Sequence, residues 1–108
     1  MSKPKVFAVL IETVPELDGV AVRNPEHSQK QRAWFARMAT EGKLLACGPW
    51  AGEVGPGLWL IRAADREEAL AILETSPRWH DGMVDRARTK VLEWAVSVGK
   101  EKFFGGRE

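Results

Sequence analysis

The chain has 108 residues, which is the length of one compact domain and leaves little room for a second core. Its hydrophobic share of 44% and charged share of 29% are ordinary for a globular protein and exclude disorder along the whole chain. With 16 basic and 15 acidic residues, the formal net charge is +1, which provides no strong field for attracting nucleic acid or an anionic membrane. We therefore expect neither of those partners.

The apolar runs of the sequence are all short. None could cross a bilayer, and none has the form of a signal-peptide core. The one cysteine, Cys47, cannot form a disulfide within the chain and is expected to be a buried thiol in a strand. The sequence therefore predicts a cytoplasmic, soluble protein, and no residue spacing indicates a metal site or a cofactor.

The first two elements are predicted to be a strand and a helix. Val6–Ile11 is an apolar, β-branched run, which favours a buried strand. Residues 13–22 contain turn-forming residues without a sustained period and predict a loop. A helix is expected over Pro25–Glu41, because Asn24 can cap its start and Gly42 can end it in the left-handed conformation.

A hairpin and a second helix are predicted next. Lys43–Cys47 and Leu58–Ile61 have strand composition, and the glycine-proline clusters within residues 48–57 provide the turn between them. Asp65 can cap a helix that ends near Thr75, since acidic residues fill its first turn and apolar residues follow at helical spacing.

The last third is predicted to end in a strand. Ser76-Pro77 ends the second helix, and residues 78–82 are expected to form a loop or an irregular turn. Partial alternation over Val84–Trp94 favours a strand with one polar side, and the tail, residues 97–108, is expected to dock on a partner or fray. The polar side of that strand is a candidate anion-binding row or a solvated face, formed by Arg86, Arg88 and Lys90.

The order strand, helix, strand, strand, helix, strand predicts an α+β fold, a ferredoxin-like βαββαβ sandwich with an antiparallel sheet. The whole chain, residues 1–108, is expected to form this single domain, with a tail from about residue 97. Helices on one face of the sheet leave the other face open. A second subunit would cover that face, and the five tryptophans suit such an interface, so we expect a homodimer.

The best candidate for chemistry is the histidine at the first helix start, Arg23–His27. His27, Gln31, Trp34 and Met38 follow one another at helical spacing, so the imidazole faces the core or a cavity beside it. Histidine titrates near neutral pH and can act as a general acid or base. The alternatives are a hydrogen-bonded structural histidine or an axial haem ligand.

Several of these stretches resemble the YCII-related (YciI-like) family. They are Arg23–His27, the passage Glu41–Pro49, then Glu68-Ala69 and Ser76-Pro77, so the resemblance covers nearly the entire chain up to the last strand. It implies a ferredoxin-like fold that pairs into a dimeric α/β barrel, similar to muconolactone isomerase. It also implies small-molecule chemistry by a histidine and an aspartate in a pocket; one relative removes chloride from a chlorinated hydroxyquinone.

Position by position, the family histidine corresponds to His27, the arginine to Arg23 and the glycine-proline pair to Gly48 and Pro49. The family aspartate precedes a proline after the second helix, and this chain has Ser76 there. A carboxylate fixes the tautomer of an imidazole and stabilises its protonated form better than a hydroxyl does. The departure therefore bears directly on the chemistry.

The resemblance and the residues together define the expected site. His27 is the candidate acid or base, Ser76 is expected to orient it by a hydrogen bond, and Arg23, Pro49 and Trp50 are expected to contact a small-molecule ligand.

Two functions remain open from the sequence. The first is a lyase, isomerase or dehydrochlorinase-type enzyme. The second is a non-catalytic ligand-binding or accessory domain that keeps the pocket without the family aspartate. Near Ser76, the side chains of His80 and Asp81 offer a second imidazole and a substitute carboxylate, or belong to a solvated turn.

Overall fold

A four-stranded antiparallel sheet forms the centre of the computed structural model, which describes residues 4–17, 24–53 and 55–104. The strand order is β2-β3-β1-β4, and the strands are β1 (Lys5–Ile11), β2 (Leu44–Pro49), β3 (Gly57–Ala63) and β4 (Lys90–Trp94). The helices are α1 (Pro25–Thr40), α2 (Arg66–Glu74), α3 (Pro77–His80) and α4 (Lys100–Phe104). This arrangement confirms the predicted ferredoxin-like fold. Over the described ranges, no helix has both the length and the apolarity needed to cross a membrane.

The helices cover one face of the sheet and build the main core there. Side chains alternate along a strand, so Phe7, Val9 and Ile11 of β1 all point toward the helices. They pack in one cluster with Trp34 of α1 and Leu73 of α2. This packing fixes the positions of α1 and of the segment that follows α2.

Both ends of α1 have the signals expected from the sequence. The Asn24 side chain accepts a hydrogen bond from the His27 backbone N–H at 3.2 Å, and Pro25 occupies the first helical position. Gly42 has a φ of 75°, a conformation that glycine adopts without a Cβ penalty. The caps therefore set the phase of the helix, so that its predicted face, beginning at His27, is buried.

The hairpin of β2 and β3 brings two backbones unusually close together. A Cβ at residue 57 would lie 2.6 Å from the Pro49 Cα, so this position requires glycine. β2 is also an edge strand, and its side chains are exposed from Ala46 to Pro49. The edge therefore leaves room for an open cleft above Cys47.

The segment after α2 is helical, whereas residues 78–82 are predicted as a loop. The Ser76 hydroxyl caps α3 by accepting from the Trp79 backbone N–H, and Pro77 occupies the first position of the new helix. The residues that end one helix therefore begin another, because serine followed by proline is also a start signal.

The last strand is shorter than predicted. It takes up only the final five residues of Val84–Trp94, because residues 86–88 form a turn. Arg86 pairs with Glu74 at 3.1 Å and Arg88 pairs with Glu12 at 3.2 Å. Of the two interpretations, the solvated face is therefore favoured over the anion-binding row, since both arginines are exposed and form ion pairs around the turn.

Two other segments differ from the sequence prediction. Residues 15–17 form a helical turn within the predicted loop, whose continuation over residues 18–22 lies outside the described residues. The tail contains α4, and the Phe103 ring of that helix lies 6.0 Å from the Trp94 ring of β4. The tail therefore docks on the sheet of its own chain.

The sheet face opposite the main core is apolar and only partly covered. Val6 and Leu60 form a small buried cluster there with Val96, which follows β4. Farther along the same face, Leu92 is 49% exposed and Trp94 is 45% exposed. The C-terminal segment therefore shields one part of this face and leaves another part open.

Candidate active site

His27 lies in the first turn of α1 and is buried, with 8% of its surface exposed. Its Nε2 atom is closed to solvent and makes no hydrogen bond with any residue the structure describes. A buried polar atom without a hydrogen bond costs about 1–3 kcal/mol of folding free energy, so such atoms are uncommon. Where one occurs, a catalytic or binding role is one explanation. The imidazole therefore has a buried ring nitrogen that no hydrogen bond with the described residues satisfies.

A carboxylate lies beside this imidazole. Asp81 ends α3, and its Oδ2 is 3.6 Å from His27 Nε2, which is within ion-pair distance but beyond a hydrogen bond. Its other oxygen, Oδ1, is 3.2 Å from Nδ1 of the exposed His80. Because α3 is only one turn long, it carries Asp81 back toward α1.

Ser76 is completely buried but contacts a different partner from the one expected. Its hydroxyl donates to Gln31 Oε1 at 3.2 Å and accepts from the Trp79 backbone N–H at 3.5 Å. We expected this hydroxyl to bond His27. It instead fixes the Gln31 side chain and caps α3.

Gln31 is the second buried polar residue on this face of α1, with 4% of its surface exposed. Its Oε1 accepts from Ser76 and also from the Arg78 backbone N–H at 3.1 Å. Its Nε2 has no acceptor in the described part of the chain. His27 and Gln31 therefore each have a buried nitrogen that makes no hydrogen bond with the described residues, one helical turn apart.

An open cleft of about 470 Å³ lies farther along α1, between that helix, the β2–β3 hairpin and α3. The rings of Phe35 and Trp59 form part of its wall, with centroids 5.2 Å apart and planes at 85°. Among the residues described, no carboxylate pairs with Arg78, whose side chain also lines the cleft. The lining residues are Phe35, Cys47, Gly48, Pro49, Glu53, Gly55, Trp59 and Arg78.

Gln31 connects this cleft with the His27–Asp81 pair. On α1 it lies one turn after His27 and one turn before Phe35. On α3, Arg78 donates its backbone N–H to Gln31 and precedes Asp81 by three residues. The pair and the cleft therefore lie along the same junction of α1 with α3.

The remaining predicted site residues are distributed unevenly. Pro49 lines the cleft, whereas Trp50 is 44% exposed and lines a shallow depression with Leu58 and Leu60 on the opposite face of the sheet. Arg23 lies outside the described residues. In the described part of the chain, no cluster of three or more His, Cys, Asp or Glu side chains could hold a metal ion.

Cys47 lies in a strand as predicted, but it is exposed and the expectation of a buried thiol is wrong. The reason is the edge position of β2, which has no covering element beyond its first residues. The thiol itself is partly enclosed by the walls of the cleft, and this burial raises the pKa of Cys47 above its ordinary value.

A larger groove of about 580 Å³ runs between α1 and α2 on the other side of α1. Its walls are mostly charged or aliphatic, and, like the cleft, it is not lined by His27 or Asp81. The residues that line it are Arg37, Met38, Glu41, Lys43, Glu68, Ala71, Ile72 and Thr75. It is the natural competitor of the cleft as a binding site.

The chain belongs to the YCII family, since the model of the YCII-related domain matches residues 6–95. None of the curated proteins matches the sequence. Among solved structures, it is similar to the 5-chloro-2-hydroxyhydroquinone dehydrochlorinase of Burkholderia phenoliruptrix AC1100, in complex with 2,5-dihydroxybenzoquinone. The TM-score is 0.67 at 17% identity, over 89% of this chain and 97% of that chain. A likeness at this identity shows the shared fold.

Proposed function

We propose that the protein is a small-molecule enzyme of the lyase or isomerase type, with dehydrochlorination as the leading reaction and His27 as general acid and base. The observation that carries the proposal is the buried His27 Nε2 with the Asp81 carboxylate 3.6 Å away. An imidazole that shares a site with a carboxylate is suited to accept a proton, because the carboxylate stabilises the imidazolium that forms.

In the proposed reaction, neutral His27 removes a hydroxyl proton, the electron pair forms a carbonyl, and the imidazolium delivers the proton to the ring carbon that carries chlorine. That carbon becomes tetrahedral. Removal of a second hydroxyl proton forms the other carbonyl and expels chloride, so the substrate loses H⁺ and Cl⁻ in total. Asp81 stabilises the imidazolium until it returns the proton to solvent. For an isomerisation, the same imidazole gives the proton back to a different substrate atom.

The substrate we propose is a planar, oxygen-bearing ring. The Phe35 and Trp59 rings and Pro49 provide an apolar surface, and an aromatic ring packs well against such walls. The Arg78 guanidinium, which has no carboxylate partner among the described residues, provides a charge for an anionic oxygen. The similarity to a hydroxyhydroquinone dehydrochlorinase supports the same choice of substrate class.

The second candidate function is a non-catalytic ligand-binding or accessory domain. The observation in its favour is Ser76, which occupies the place of the family aspartate and bonds Gln31. Both functions use the same cleft. Turnover of a bound ligand separates them.

We also propose that the protein works as a cytoplasmic homodimer in which two sheets face each other. The support is the open apolar surface around Leu92 and Trp94, which continues into half-buried Ala8 and Leu58. Light scattering should give twice the mass of the 12.0 kDa chain, and Leu92→Lys with Trp94→Lys should halve it. A monomeric wild type would contradict the dimer.

The catalytic proposal is tested by chloride release from 5-chloro-2-hydroxyhydroquinone under anaerobic conditions. Wild type should release chloride, whereas His27→Gln and Asp81→Asn should lose most of the activity. His80→Gln is the matched control, because the chain has two histidines and His80 is exposed. Equal release by wild type and His27→Gln would overturn the role of His27. Binding of 2,5-dihydroxybenzoquinone without any turnover would favour the ligand-binding domain.

A further inference from the structure

We propose that Gln31 is a substrate-binding residue whose Nε2–H donates to an oxygen of the ligand beside His27, and that Ser76 is its positioning residue. The inference rests on the proposed function and assigns to it a second polar contact. It also explains why a serine occupies the place of the family aspartate.

The orientation of the Gln31 amide follows from its partners. A backbone N–H can only donate, so the atom that faces the Arg78 N–H at 3.1 Å must be the amide oxygen. The Ser76 hydroxyl donates a second hydrogen bond to this oxygen at 3.2 Å. The NH₂ group is then directed away from the Arg78 N–H, and it cannot exchange places with the oxygen without losing that bond.

The NH₂ group is buried and lacks an acceptor. Gln31 is 4% exposed and Ser76 is fully buried, so water has little access to the amide. His27 lies one turn earlier on the same buried face, and its Nε2 also makes no hydrogen bond with the described residues, although Asp81 lies 3.6 Å from it. Two buried nitrogens without hydrogen bonds, one turn apart on a single face, are the groups that the oxygen atoms of a ligand at this junction would satisfy.

The two nitrogens differ in chemistry, and this difference assigns their roles. The His27 imidazole can gain and lose a proton, whereas the Gln31 amide only donates a hydrogen bond. An amide donor can hold a carbonyl, hydroxyl or phenolate oxygen throughout a reaction, and it binds most strongly when negative charge develops on that oxygen. We therefore assign proton transfer to His27 and oxygen binding to Gln31.

Ser76 is compatible with the amide direction that the Arg78 N–H sets. A carboxylate at this position would repel Gln31 Oε1 and attract the NH₂ group, so the amide would turn around and its donor would be used within the protein. A serine hydroxyl donates to Oε1 and leaves NH₂ for the ligand. In this chain the Asp81 carboxylate lies beside the His27 imidazole, and the Ser76 hydroxyl forms its hydrogen bond with Gln31.

The direct test is a spectrum of the side-chain amides in the ¹⁵N-labelled protein. The sequence has two glutamines, Gln29 and Gln31, and one asparagine, Asn24, so three NH₂ pairs are expected. On titration with 2,5-dihydroxybenzoquinone, the Gln31 pair should move with saturation. The Gln29 pair should stay in place, because that side chain is exposed on the outer face of α1.

Binding by variants gives the second measurement. Gln31→Glu keeps the size and the accepting oxygen but removes the donor, and Gln31→Met removes it without adding charge. Each should raise the Kd of 2,5-dihydroxybenzoquinone by about tenfold or more. Ser76→Asp should weaken binding in the same direction, whereas Gln29→Glu should leave the Kd unchanged. Circular dichroism tests whether each variant is folded. If a variant does not fold, the titration of the Gln31 NH₂ signal in the wild-type protein tests the role of Gln31.

The outcomes separate this inference from the proposed function. Binding with a stationary Gln31 NH₂ pair, or unchanged Kd in folded Gln31→Met, would overturn the inference and leave the His27 mechanism standing. Failure of wild type to bind 2,5-dihydroxybenzoquinone would overturn both. Loss of binding in Gln31→Met together with retained binding in Gln29→Glu is the expected result.

Discussion

The buried face of α1 has an apolar half and a polar half that are built differently. In the apolar half, the Trp34 indole N–H donates to the Thr75 hydroxyl at 2.8 Å, and that hydroxyl donates to the Ile72 carbonyl at 2.6 Å. In the polar half, Gln31 and His27 each have a buried nitrogen that makes no hydrogen bond with the described residues.

Two consecutive residues after α2, Thr75 and Ser76, form hydrogen bonds with the two halves of this face. Thr75 completes the hydrogen bonding of Trp34, whereas Ser76 satisfies only the oxygen of Gln31. The residues after α2 can therefore satisfy the hydrogen-bonding groups of α1. They do so fully for Trp34, which packs in the core, and only in part for Gln31. If the ligand binds in the polar half, as proposed, substitutions in the two halves separate effects on stability from effects on function.

The largest expected effect is on activity in the polar half. His27→Gln should lower kcat by about 10²–10⁴-fold, the usual contribution of a general acid or base. Its unfolding free energy should change by less than about 1 kcal/mol, because the imidazole Nε2 has no hydrogen bond to lose. Chloride release and urea denaturation measure the two quantities. A large loss of stability with normal kcat would place His27 among the structural residues.

The next effect is on stability in the apolar half. Trp34→Ala should lower the unfolding free energy by about 3–5 kcal/mol, because the side chain is 1% exposed and lies in the main core. Trp50→Ala is the matched control, since the same substitution is made at an exposed turn. Urea denaturation of both variants should show a cost well below 1 kcal/mol for the control. An equal loss of unfolding free energy in the two variants would contradict the placement of Trp34 in the core and of Trp50 at the surface.

A smaller effect is expected from the hydroxyl that completes the apolar half. Thr75→Val preserves shape but leaves the buried Trp34 N–H without its acceptor, which costs about 1–3 kcal/mol. Thr40→Val, at the exposed end of α1, should change stability by less than about 0.5 kcal/mol. Thermal unfolding of the two variants provides the comparison, and a neutral Thr75→Val would show that this bond adds nothing.

The smallest expected effect concerns Cys47 at the cleft. Burial raises the pKa of its thiol, so less thiolate is present at neutral pH and alkylation by iodoacetamide should be slower than for a free thiol. The rate should rise through a midpoint above that of a model thiol. Bound 2,5-dihydroxybenzoquinone should slow alkylation further, because Cys47 lines the cleft. A midpoint below that of the model thiol would contradict the burial of Cys47.

Local signals predicted most of the fold. The Asn24 cap, Pro25 and Gly42 mark both ends of α1, and the alternation in β1 separates the two sheet faces, so these elements follow from the sequence. The strand prediction failed at residues 84–89, because ion pairs of Arg86 and Arg88 stabilise a turn there, and alternation of charged and small residues does not distinguish the two.

The site was less predictable because it depends on contacts distant in sequence. The helix start located His27, but Asp81 reaches it only because Ser76 and Pro77 begin the short α3. Gln31 was assigned to the buried face without a role. A polar pair at i and i+4 on an otherwise apolar face is the signal that could have identified it.

The most direct test of the account is a crystal structure of the protein with 2,5-dihydroxybenzoquinone. The ring is expected to lie at the junction of α1 with α3, with one oxygen within hydrogen-bond distance of His27 Nε2. Density in the groove between α1 and α2, beside Arg37 and Lys43, with nothing near His27 would contradict it.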